Sequence, residues 1–119
     1  MKPTKVIAQK KFKINKNSWV CKIVKDCGQL FDVGDNIECF GMTVFPERAV
    51  YLSKTYNKGD VEIPLKFVEE TLWHELAHTI IFETHFNEQL QGTLKESYET
   101  FIDSLGSVLK KTFKSPLDD

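Results

Sequence analysis

Apolar and polar residues alternate through the first half of the chain and recur at three- and four-residue spacing through the second. In Lys11-Phe12-Lys13-Ile14 the lysines fall on one side of an extended chain and the apolar residues on the other. Trp19, Cys21 and Ile23 likewise alternate with Val20, Lys22 and Val24, which predicts one buried face and one partly wet face. Strands are expected over roughly 5–14, 18–25, 36–45 and 48–53. Turns are expected at Asn15-Lys16-Asn17, Asp26-Cys27-Gly28 and Gly34-Asp35-Asn36. Ala49-Val50-Tyr51-Leu52 is the last strand before the period changes.

From Pro64, which suits a first helical turn, Leu65, Val68, Leu72, Leu76 and Ile80 form an apolar helical stripe. Gly92 breaks the chain. Thr93-Leu94-Lys95-Glu96 then has the form of a capping box that opens a second helix. Its stripe is Leu94, Tyr98, Phe101, Leu105, Val108 and Leu109, and Lys110, Lys111 and Lys114 suit its negative end. Strands followed by helices predict an α+β fold, a small antiparallel or mixed sheet packed against two C-terminal helices. The 119 residues, 41% hydrophobic and 28% charged, fit one domain with one core and leave no room for a second.

Charge is unevenly placed although the net value is −1. Residues 1–25 hold eight lysines and no acid, leaving eight basic against seventeen acidic residues in the remainder. A solvated strand face accounts for the alternating lysines better than a phosphate-binding patch does. A nucleic-acid partner is disfavoured, since no recognised motif or aromatic stacking platform accompanies them. Cysteines 21, 27 and 39 are odd in number and have no Cys-x-x-Cys spacing. The start lacks a continuous apolar run, and no stretch approaches the ~20 apolar residues of a membrane span. The expectation is a cytoplasmic protein, bacterial or in an infected host cell, with free thiols on buried strands.

The chemistry concentrates in His74-Glu75-Leu76-Ala77-His78. On a helix the two histidines lie ~40° and ~6 Å apart, so both imidazoles can reach one zinc ion. Glu75 points to one side, where a carboxylate can take a proton from water without filling a ligand position. Surface histidines on a solvated helix face are the bland alternative. A catalytic zinc needs a third protein ligand and an open fourth position. His85 lies ~10.5 Å further along an unbroken helix, too far for the same ion. A three-histidine motif would need a histidine at Thr84 and a glycine at Ile81, and the chain has neither. Glu96, Glu99 and Asp103 remain. Glu96 is accounted for by the cap. Glu99, a turn further in beside Tyr98 and Phe101-Ile102 at the core edge, is expected as the third ligand, with Asp103 as the acceptor that orients a ligating imidazole.

His74-Glu75-x-x-His78 followed by Glu99-x-x-x-Asp103 resembles the gluzincin metallopeptidases. Phe40-Gly41-Met42-Thr43, Ala49–Ser53, Glu69–His78 and Tyr98–Leu105 together look like the minimal zinc peptidases of phages and other mobile elements, related to the ImmA/IrrE type. The resemblance covers about residues 39–113; residues 1–38 add a lysine-rich strand region without a counterpart. It implies a zincin-like domain over 1–119 that holds one zinc and hydrolyses a peptide bond in a specific regulatory or host protein. It also implies that Ala49, Val50, Tyr51 and Leu52 form the edge strand on which a peptide pairs. Tyr51 or Tyr56 could stabilise the oxyanion. The alternative is a binding protein that retains the zinc core without proteolysis.

Overall fold

The computed structural model describes residues 6–14, 16–32, 38–56, 61–84 and 95–113. The chain is α+β, as its pattern predicts. Strands β1 (Val6–Ile14) and β2 (Asn17–Val24) form an antiparallel pair, and a short helix α1 (Cys27–Phe31) follows. Strands β3 (Gly41–Val44) and β4 (Ala49–Ser53) make a second antiparallel pair. A two-stranded ribbon of β5 (Thr55–Tyr56) and β6 (Val61–Glu62) leads into the long helix α2 (Leu65–Glu83). Helix α3 (Lys95–Thr112) completes the fold.

Sheet order is β1-β2-β4-β3, with β2 and β4 parallel, so the sheet is mixed. β4 lies inside it, between β2 and β3, and all five of its residues are buried. Val50 and Leu52 join the main core with Trp19, Cys21, Leu72, Leu76, Ile81 and Ile102, between sheet and helices. Ala49 and Tyr51 join a smaller cluster with Val24, Cys27, Leu30 and Phe31, where α1 covers the other face. Burial on both faces explains the unbroken apolar run Ala49–Leu52. It also overturns the edge-strand expectation for Ala49, Val50, Tyr51 and Leu52. Their backbone groups are committed to β2 and β3, and the edge belongs to β3.

β1 shows the expected alternation, with Lys11 and Lys13 exposed and Phe12 and Ile14 half-buried against the core. α1 replaces the expected turn at Asp26-Cys27-Gly28. Asp26 is its N-cap, the carboxylate accepting from the Gly28 amide at 2.9 Å. Only Cys21 lies on a strand; Cys27 opens α1 and Cys39 precedes β3. Of the predicted 36–45 strand, the described residues form Gly41–Val44; residues 36 and 37 lie outside them, as does the expected turn at Gly34-Asp35-Asn36.

α2 starts after Pro64, as expected. It buries Val68, Leu72 and Leu76 of the predicted stripe, but also Trp73, Ala77 and Ile81, because it is packed between the sheet and α3. Leu65 is exposed. In α3 the buried positions are Ile102, Gly106 and Leu109, flanked by half-buried Tyr98 and Leu105; Phe101 and Val108 face outward. Tyr98, Leu105 and Leu109 of the expected stripe thus face the core, while Ile102 stands there in place of Phe101. The capping residues Thr93 and Leu94, together with His85, Gly92 and Lys114, lie outside the described residues.

Candidate metal centre

Two glycines set the spacing of the elements around the histidines. Gly106 of α3 lies against the Trp73–His74 backbone of α2: a Cβ there would stand 3.0 Å from the Trp73 carbonyl oxygen. The close crossing brings Asp103, one turn earlier in α3, up to His74. At Gly41 of β3 a Cβ would meet the Thr71 methyl at 2.6 Å and Glu75 Cγ at 3.1 Å. Absence of a side chain here lets β3 lie alongside the motif-bearing face of α2.

Between them lie His74, Glu75 and His78, with Glu99 and Asp103 of α3 beside His74. His74 Nδ1 donates to Asp103 Oδ1 at 2.6 Å, and its Nε2 stands 3.2 Å from Glu99 Oε2. Hydrogen bonding on Nδ1 leaves the Nε2 lone pair as the ligating position. His78 Nδ1 faces the Tyr98 hydroxyl at 3.3 Å, an arrangement that frees its Nε2 in the same way. The two imidazole centroids are 5.0 Å apart. Burial lowers the pKa of His78, which favours the neutral, ligating form.

Two carboxylates compete for the third position. His74, Glu75 and His78 each place a donor atom within 4.8 Å of the others. Donors on a tetrahedral zinc at ~2.0–2.1 Å are separated by about 3.3 Å. Glu99 Oε2, 3.2 Å from His74 Nε2, matches that edge on the His74 side; Glu75 Oε2 stands 3.9 Å from the same nitrogen and is the carboxylate grouped with both histidines. Glu75 is also tied elsewhere, since its Oε1 accepts from Thr43 Oγ1 at 2.8 Å. Burial raises the pKa of Glu75, and donation from Thr43 works against that rise. Two imidazoles and a neighbouring carboxylate are a donor set that can hold a metal ion, and both Glu75 and Glu99 stand beside it.

His74 opens onto a cleft of 470 Å³ between β3 and α2, lined by Phe40, Gly41, Phe67, Thr71, Glu75 and Asp103 among others. Among the described strands β3 pairs only with β4, so its second edge borders this cleft. Neither expected oxyanion residue meets the histidines. The Tyr51 hydroxyl bonds to Glu47 on the opposite face of the sheet, where its ring packs edge-on against Phe31. Tyr56 lines an apolar recess with Phe40, Ile63, Pro64 and Phe67.

The sequence reading did not identify Thr43 and Tyr98 as site residues. Tyr98 adjoins Glu99 in sequence, and a phenol next to a candidate ligand was the available signal. Thr43 became recognisable only once β3 was placed beside α2. Comparison of the chain with family models, curated proteins and solved structures returned no match to any of the three.

Proposed function

We propose that the chain is a zinc-dependent peptidase of gluzincin type in which His74, His78 and Glu99 hold the ion and Glu75 is the general base. The observation that carries this reading is the placement of His74 between Asp103 on Nδ1 and Glu99 on Nε2. An ordinary acidic helix face has no reason to supply both an orienting acceptor and a donor at ligand-to-ligand distance. Bound there, zinc would supply a Lewis acid that acidifies water and polarises a carbonyl.

The remaining work falls to side chains of this chain. Thr43 holds Glu75 Oε1, leaving Oε2 directed towards His74, where it takes a proton from water and returns it to the leaving amine. Asp103 and Tyr98 fix the imidazole orientations. The open edge of β3 offers backbone groups to an extended peptide, the part first expected of residues 49–52.

The test is cleavage of a mixture of unstructured peptides by the zinc-loaded protein, read by mass spectrometry beside Glu75→Gln at matched zinc content. New fragments that disappear in Glu75→Gln are expected. Equal cleavage by both proteins would remove Glu75 from its role. Zinc without cleavage would favour a binding protein of phage or mobile-element type that retains the metal core.

A further inference from the structure

Behind the rim of the cleft, two thiols that the metal reading does not use are in contact. Cys27 Sγ lies 3.0 Å from Cys39 Sγ, although twelve residues separate them in the chain. Neither is in a disulfide. The pair sits in the smaller apolar cluster, where the Ser53 side chain reaches it. The Ser53 hydroxyl stands 2.9 Å from Cys27 Sγ and 2.7 Å from the Cys39 carbonyl oxygen, and it accepts from the Cys27 amide at 2.9 Å. The two sulfurs differ in access. Cys27 is fully buried, whereas Cys39 is half-buried and lines the 470 Å³ cleft.

We propose that Cys27 and Cys39 form a dithiol modification site that exchanges with low-molecular-weight disulfides entering the cleft. The Cys39 thiolate attacks one sulfur of the incoming disulfide. That S–S bond breaks, and one half leaves as a thiolate that takes a proton from solvent. Cys27, giving its proton to solvent, then attacks the Cys39 sulfur and expels the second half as a thiol. The protein loses two electrons and two protons, and the small disulfide is reduced to two thiols.

Local chemistry assigns the order of attack. Donation from Cys27 holds the Cys39 thiol below its usual range, and the same contact together with burial pushes Cys27 up. The product would tie the segment before β3 to the start of α1, and so fix one wall of the cleft. This inference stands independently of the zinc reading.

Oxidised glutathione is the probe, added to the full-length reduced protein, with intact mass and peptide mapping as the readout. The expected product is two hydrogens lighter, with the peptides containing Cys27 and Cys39 linked. Cys21, whose thiol burial pushes up to about 12, remains free. Cys27→Ala should stop at one glutathione adduct on Cys39, and Cys39→Ala should stay unmodified. A wild-type protein that accumulates a lasting mixed disulfide, stays reduced, or links Cys21 would overturn the proposal.

Discussion

Replacing Asp103 with alanine removes the acceptor at 2.6 Å from His74 Nδ1 and leaves every proposed ligand in place. Loss of an orienting carboxylate costs about 10–100-fold in metal affinity. The position of Asp103 decides where in that range the loss should fall. Its side chain is 71% exposed and that of His74 28%, so water takes over much of the lost interaction. A tenfold weakening is expected, about 1.4 kcal/mol. Asp103→Asn keeps a neutral acceptor, and a neutral hydrogen bond has roughly half the strength of a charge-assisted one, so the loss should be about threefold. Competition against a chromophoric zinc chelator reads both values. Unfolding of the metal-free proteins should differ by no more than about 0.5 kcal/mol, because the side chain is a surface one. An affinity unchanged by Asp103→Ala would refute the orienting role. A loss as complete as that caused by Glu99→Ala would refute it too, by making Asp103 a ligand.

Two further substitutions test the packing around the site. Thr43→Val keeps the side-chain shape but removes the donor to the buried Glu75 carboxylate, and should lower stability by about 1–3 kcal/mol with zinc content unchanged. That donor favours the charged form, so its loss raises the Glu75 pKa and moves the acidic limb of kcat/KM to higher pH; a limb that stays in place or moves down would contradict this. Gly106→Ala gains about 1 kcal/mol of helix propensity but forces a methyl to 3.0 Å from the Trp73 carbonyl oxygen, at a cost of about 1–3 kcal/mol. Helix α3 should shift and weaken zinc binding along with thermal stability, and a variant with higher stability and unaltered affinity would show that the close crossing is not required.

The parts of this arrangement that could be read from sequence are local. His74 and His78 share a helix face because of their spacing, and so do Glu99 and Asp103, which made one helical pair a partner for the other. What could not be read is non-local. Periodicity identifies a strand but not its neighbours, so the edge position was assigned to Ala49–Leu52 when β3 holds it. The unbroken apolar run there was itself a sign of burial on both faces. α1 is too short for its period to register, and its capping Asp26 resembles a turn residue. In α3 the expected stripe differs from the buried face at two positions, because Phe101 and Val108 are apolar yet exposed while Ile102 takes the core position. Thr43 and the contact of Cys27 with Cys39 depend on how separate elements meet, and no spacing along the chain encodes either.

The central claim is that His74, His78 and Glu99 together hold one zinc ion. Elemental analysis of untagged wild-type protein beside Glu99→Ala, each offered zinc and then freed of excess, tests it most directly. One zinc per wild-type chain, largely lost in a Glu99→Ala protein that remains folded, is the predicted result. Well-folded wild-type protein without zinc, or full retention by Glu99→Ala, would contradict the account.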